Sequence, residues 1–282
     1  MESSNASQSL EEFKKAYYAV LSVAKKLEGK VSVTEGSLIA YTRGAEPPAS
    51  VLYISSIHAG LNVSLVDIVE LSLHIIPYRD CESVIVFSSR QKDPRAVNAV
   101  IASSILGAKS TLVAPRMHEA YEERLRLHNV NRVMIDSPSP LLTMSLAALI
   151  WRPKLMGFRD ERIKKELMSL DSALEWLIEG YGFVVERSYT TALYTPATMA
   201  GAYYYCIAVK SCNPLPLDAL EDSPPKGRLL VMVTSLERKE YEELLKSVRN
   251  KAELDIVEFN VDPVTASLYS VLLAFLASGR AV

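Results

Sequence analysis

The chain has 282 residues, of which 49% are hydrophobic and 23% charged; that is apolar material for about two ordinary domains and too much for a disordered chain. A net charge of −2 and a pI near 6.2 lack the basic excess of a nucleic-acid binder. The three scattered cysteines, Cys81, Cys206 and Cys212, contain no CxxC pair and argue against both a disulfide framework and a structural zinc site.

In chain order, residues 1–9 are polar and lack the apolar core of a signal peptide. Ser9-Leu10-Glu11-Glu12 has the form of a capping box. Phe13, Tyr17, Val20, Leu21, Ala24 and Leu27 then recur on one helical face that ends near Gly29. Residues 37–42 read as a first buried strand, followed by the loop Arg43-Gly44-Ala45-Glu46. Pro47 and Pro48 fit the first turn of a helix, whose amides have no partner to lose. Residues 49–60 continue that helix, although the stretch 51–55 fits a strand equally.

A second strand running into a helix is predicted over 62–69, and the clearest strand of all over 83–87. After it come the polar loop Ser88-Ser89-Arg90-Gln91-Lys92-Asp93 and a helix over 94–106 that Gly107 stops. Strands at 110–113 and 132–135, with a charged helix near 121–127 between them, complete a five-strand set. The apolar run 141–151 falls well short of the roughly 20 residues that span a bilayer. With no membrane segment and no leader expected, the cytoplasm is the default location.

Arg152-Pro153-Lys154 and the charged run 159–165 mark a break, so the expected domains are 1–155 and 156–282. Ile163, Leu167, Leu170, Leu174 and Leu177 predict a second long amphipathic helix. A new series of strands is expected at 183–185, 229–233 and 254–257, with a helix over 238–248 and a closing apolar helix over 264–276. Each half thus reads as a long helix followed by an α/β unit with a parallel, Rossmann-like sheet and flanking helices.

Three segments in this order carry a resemblance: GAKSTLVAP after the strand SVIVF, LLVMVTSLERKEYEELLKSVRNKAELDIVEF, and DPVTASLYSVLLAFLASG. The arrangement resembles the isomerase portion of glucosamine-6-phosphate synthase and its double sugar-isomerase (SIS) relatives, over nearly the whole chain. The resemblance implies two SIS-type subdomains, a phosphorylated sugar as ligand, and a homodimer that completes its sites across a two-fold axis; no cofactor or metal is expected, because the sequence has no closely spaced soft ligands and no glycine-rich turn for a pyrophosphate. The apolar segments 197–209 and 264–276, which exceed what two small sheets must bury, point the same way.

The functional motifs depart from the family pattern. Where the family has glycine-x-serine/threonine-serine, this chain has Arg43-Gly44-Ala45-Glu46; where it has S-x-S-G-x-T, this chain keeps only the leading Ser88. The catalytic segment matches at Tyr189, Ala192 and Leu193, but Tyr194 and Gly201 replace its two glutamates and Pro196 an alanine. The ring-opening histidine motif falls near Pro216-Leu217-Asp218, and no counterpart of the family's C-terminal lysine loop is expected.

Phosphate is recognised by hydroxyls, backbone amides and cations near a helix start, so loop residues that follow strands are the candidates. These are Arg43, Gly44 and Glu46; Ser88, Ser89, Arg90, Gln91 and Lys92; Ser137 and Ser139; and Arg187, Ser188, Thr190 and Thr191. Asp93 is expected to turn away and cap the helix opened by Pro94. Pro138 and Pro140 make a plain helix-capping turn an equal reading for the serines beside them. Replacing Ser88 and Arg90 by alanine is expected to weaken a sugar phosphate about 10²-fold with little effect on the melting temperature.

Glu186 is the best-placed spare carboxylate for proton transfer, with a plain surface glutamate as the rival reading. His58 and His74 read as helix residues, His118 and His128 as exposed. No Ser/His/Asp order, metal-ligand spacing, GxGxxG or Walker loop is present. Three functions stand open: a sugar-phosphate-binding SIS protein without the standard isomerase residues; an active isomerase or lyase with a relocated acid/base; and a structural or interaction protein.

Overall fold

The computed structural model describes residues 2–168, 171–210, 212–220, 226–249 and 252–278. The chain separates into two compact units, Met1–Met156 and Gly157–Val282. Among the described residues no helix is long and apolar enough to cross a membrane.

The first unit opens with α1 (Glu2–Lys25), so Ser9 lies inside the helix rather than capping it. A five-stranded parallel sheet follows, ordered β2-β1-β3-β4-β5. Its strands are β1 (Leu38–Tyr41), β2 (Ser64–Asp67), β3 (Ser83–Phe87), β4 (Lys109–Pro115) and β5 (Asn131–Ile135). They alternate with α2 (Glu46–His58), α3 (Ile68–Glu70) running into a π-helical turn over Leu71–Ile75, α4 (Pro94–Ile105), α5 (Glu119–Leu127) and α6 (Pro140–Ile150).

Side chains alternate across a strand, and both faces of this sheet are buried. Leu38, Ala40, Val84, Val86, Leu112 and Ala114 pack with Val97, Val100 and Leu125 of α4 and α5. On the opposite face α2 and α6 pack together, with α1 against α6. Trp151 closes that side, its ring 6.5 Å from Phe87 and its indole N–H donated to the Leu27 carbonyl at 2.6 Å.

The second unit opens with α7 (Phe158–Met168) and α8 (Asp171–Tyr181). The single helix expected here is therefore described as two, with Leu170 outside the described residues. The strand expected at 183–185 is instead the short helix α9 (Phe183–Glu186). An apolar run this short does not fix its own conformation; Val184 is buried and the Phe183 ring meets Tyr181 edge-on at 6.2 Å.

The second sheet is parallel and ordered β7-β6-β8-β9. Its strands are β6 (Thr191–Tyr194), β7 (Asn213–Pro216), β8 (Arg228–Thr234) and β9 (Glu253–Phe259). A 3₁₀ turn at Pro196–Thr198 leads into α10 (Met199–Val209), and α11 (Ser235–Arg238) and α12 (Glu242–Arg249) replace the one helix expected over 238–248. The closing helix, α13 (Pro263–Ser278), packs along α10. Cys206 and Cys212 form a local disulfide across the turn from α10 to β7, leaving Cys81 free. The spacing argued against a disulfide framework, and this single local bridge qualifies that reading: the turn brings two cysteines, six residues apart, within bonding reach.

Both sheets run edge strand, first strand, third strand, fourth strand. In such an order consecutive connections diverge between β1 and β3, and between β6 and β8, which opens a crevice beyond the strands' carboxyl ends where ligands bind.

Candidate functional site

At the first crevice the loops leaving β1 and β3 are knitted together. Thr42 Oγ1 donates to Ser88 Oγ at 3.3 Å, and Ser89 Oγ donates to the Arg43 carbonyl at 3.3 Å. Gly44 stands between them at φ +91°, and a Cβ there would meet Ser89 Oγ at 2.8 Å. Only glycine supplies both the backbone conformation and the clearance.

Ser88 is fully buried and its hydroxyl is already committed. It accepts from Thr42 and from the Arg90 amide at 3.3 Å, and donates to Asp93 Oδ2 at 2.9 Å. The Ser88→Ala, Arg90→Ala pair, expected to change the melting temperature little, should instead lower it, since Ser88→Ala strips a buried carboxylate of a partner, at about 1–3 kcal/mol. Asp93 does cap α4, accepting the Ala96 amide at 3.3 Å. Ser88 and Asp93 shape the turn; Ser89, Arg90, Gln91 and Lys92 are left facing outward to different extents.

A third loop joins from β4, where Arg116 is exposed and the His118 amide donates to the Gln91 carbonyl at 3.4 Å. The sequence reading stopped β4 at Val113 and so missed Arg116; the apolar Ala114-Pro115 before it was the available signal. Arg43, Arg90, Lys92 and Arg116 make no ion pair among the described residues. Glu46, the first residue of α2, is only 7% exposed, and its Oε2 accepts the Gly44 amide at 2.6 Å. Burial pushes its carboxyl above the usual range, against the lowering effect of the Glu46 and Gly44 amides and the Arg43 charge.

Ser137 and Ser139 follow β5, at the sheet edge and separated from β3 by β4. Ser137 Oγ accepts from Thr143 Oγ1 at 2.6 Å and from the Ser139 amide at 3.3 Å, and Ser139 O accepts the Thr143 amide at 3.0 Å. Both belong to the turn that starts α6.

The second crevice is occupied by the chain itself. Glu237 receives Thr195 Oγ1 at 2.7 Å, Thr234 Oγ1 at 2.7 Å, the Ala197 amide at 3.1 Å and the Thr234 amide at 3.3 Å. Its carboxylate thus sits where amides after β6 and hydroxyls from both loops would meet an anion.

Arg187, Ser188 and Thr190 precede β6 and so lie at the amino end of the sheet, while Thr191 is its buried first residue. This corrects their expected place after a strand, because the segment before them is α9. Arg187 pairs with Asp255 at 2.7 Å and stacks 5.5 Å from the Phe183 ring centre. Thr190 Oγ1 donates to the Lys226 carbonyl at 3.0 Å. Glu186 is the exposed last residue of α9 and likewise follows no strand.

A cavity of about 260 Å³ lined by Ile76, Arg79, Cys81, Ser103 and Leu106 lies at the amino end of the first sheet, away from the crevice. Among the described residues no group of three or more His, Cys, Asp or Glu is placed to hold a metal ion.

No family model matches the sequence, and no curated protein matches it. Solved structures do match the fold. One is the C-terminal domain of glucosamine-fructose-6-phosphate aminotransferase from Francisella tularensis, at 12% identity and a TM-score of 0.61, covering 97% of this chain and 96% of that one. Tagatose-6-phosphate ketose/aldose isomerase from Escherichia coli matches at 14% identity and a TM-score of 0.60, covering 97% and 89%. Glucosamine-6-phosphate deaminase from Thermotoga maritima matches at 11% and 0.62, covering 97% and 93%. The chain has the fold of the SIS-domain phosphosugar isomerases.

Proposed function

We propose that this SIS-fold chain binds a phosphorylated sugar in its first crevice and lacks the isomerase acid/base residues usual for that scaffold. The observation that carries the reading is the set of unpaired cations, Arg43, Arg90, Lys92 and Arg116, on three loops that meet beyond β1, β3 and β4. Arginine presents a planar fork of donors to a phosphate and lysine a mobile point charge. The Ser89 hydroxyl would add a further contact by giving up its bond to the Arg43 carbonyl.

The second half of the proposal rests on packing. At Gly201 an added Cβ would lie 2.3 Å from Ser270 Cβ and 2.6 Å from the Ser270 carbonyl carbon. The close approach of α10 to α13 therefore leaves no room for a carboxylate at that position. Tyr194, where the scaffold's other glutamate falls, packs its ring 5.6 Å from Tyr203.

The test is thermal stabilisation by fructose 6-phosphate and glucose 6-phosphate, with the free sugars as controls. A ligand at a hundredfold its Kd adds about 2.7 kcal/mol to stability. Arg90→Ala with Lys92→Ala, both exposed, is expected to reduce phosphosugar affinity about 10²-fold and leave the unliganded melting temperature unchanged. Equal affinity of the double variant and wild type would move the site elsewhere. No shift with any phosphosugar leaves the scaffold reading. The cytoplasm remains the proposed location, with neither nucleic acid nor membrane as a partner.

A further inference from the structure

The scaffold's usual proton-transfer positions are taken by Tyr194 and Gly201, yet the first crevice contains a buried carboxylate of its own. Glu46 opens α2 directly after the turn that leaves β1, and through the Gly44 amide it is tied to the residue against which Ser89 packs. Its carboxylate is thus held in the loop that leaves β1, and that loop is joined to the one after β3 through Thr42–Ser88 and Ser89–Arg43. The other buried carboxylate there, Asp93, is consumed by Ser88 and by the start of α4.

The charged groups around Glu46 are few. Arg43 acts on it directly, and the neighbouring loop contributes Arg90, Lys92 and Asp93. The elements packed against α2, namely β1, β3 and α6, contain no charged residue, and β2 contributes only Asp67 at its end. A carboxyl lifted above the usual range by burial is closer to a working pH at which it can both take and give a proton.

We infer that Glu46 is the proton-transferring residue for a phosphorylated ketose or aldose held in the first crevice. This rests on the phosphosugar reading above. The carboxylate takes a proton from the carbon beside the carbonyl, and the electron pair of that C–H bond moves into an enediolate. The resulting carboxyl returns a proton to the adjacent carbon while the hydroxyl proton passes between the two oxygens. Nothing is oxidised or reduced overall, and no co-reactant is consumed.

The experiment follows carbon-bound hydrogen of fructose 6-phosphate and of glucose 6-phosphate by NMR in D₂O, alongside calorimetric binding of each. Wild type is expected to wash deuterium into the carbon beside the carbonyl, faster as pH rises through the Glu46 titration. Glu46→Gln keeps an oxygen for the Gly44 amide, so it should bind within about threefold of wild type, while its exchange falls about 10²-fold or more, the scale of a general acid–base contribution. Exchange at the wild-type rate in Glu46→Gln overturns the assignment. So does a wild type that binds the sugar phosphate tightly and leaves its C–H bonds intact, an outcome under which the binding reading stands. If neither sugar phosphate binds wild type, the phosphosugar reading itself fails and takes this assignment with it.

Discussion

At the scale of single residues, Glu46 couples the crevice to stability. Its carboxyl sits above the ordinary 4.5 when folded because burial disfavours the charged form. Between the ordinary value and the raised one, the folded chain holds a proton that the unfolded chain has released. Stability therefore declines as pH climbs through that window and stays lower above it. Glu46→Gln is expected to melt at a higher temperature than wild type at pH 8 and at a similar temperature at pH 4. Equal melting curves at pH 8 would show that the carboxylate carries no burial penalty. Gly44 acts differently, through shape: Gly44→Ala combines a positive φ with a 2.8 Å approach to Ser89 Oγ. A strained backbone position of this kind is worth of order 1–3 kcal/mol. The variant should melt lower and bind phosphosugar more weakly, and wild-type behaviour in both assays would remove Gly44 from the account. The sequence placed both residues in the right loop. It offered Glu46 only as a loop candidate for ligand binding, because its burial depends on tertiary packing around the start of α2, which no local pattern encodes. It read Ser88 as a ligand group for the same reason: Thr42, 46 residues away, is one of its partners.

At the scale of elements, legibility followed burial. β3 was predicted to its ends because Ser83–Phe87 is buried at every position and bounded by polar turns. β6 and β7 went unread. Each has four residues, and Asn213–Pro216 contains two prolines, which a sheet tolerates at its edge, where β7 lies. The strand expected at 183–185 had placed five candidate site residues, Glu186, Arg187, Ser188, Thr190 and Thr191, at the wrong end of the sheet. The α10–α13 pair sets the sharpest constraint at this scale. Gly201→Ala must push the two helices apart, and overpacking of this kind costs about 1–3 kcal/mol. A melting temperature lowered by several degrees is expected, with Gly201→Glu lower still and no gain of isomerase activity. A Gly201→Glu chain that folds as stably as wild type would refute the packing argument.

At the scale of the molecule, the two units repeat one architecture with opposite outcomes at their crevices. The first presents four exposed cations that make no ion pair among the described residues; the second is filled by Glu237. Calorimetry is therefore expected to find one phosphosugar per chain, and two equivalent sites would contradict the filled second crevice. The homodimer is a separate matter. The apolar residues of α10 and α13 are largely buried within their own unit, so the surplus of apolar surface expected from the sequence is already accounted for. The dimer proposal rests on the family resemblance, and light scattering at micromolar concentration decides it.

The open rim of the first crevice also dictates the conditions under which its affinity can be measured. Arg43, Arg90, Lys92 and Arg116 are exposed to solvent, and at physiological ionic strength the field of such charges is damped over roughly 8 Å. Inorganic phosphate and sulfate carry the same recognition group as the sugar and compete for the same forks and amides. Binding should consequently weaken as sodium chloride is raised, and weaken further when phosphate buffer replaces a neutral zwitterionic one at equal ionic strength. The first loss is screening and the second is displacement, so the gap between them reads out how much of the affinity belongs to the phosphate group itself.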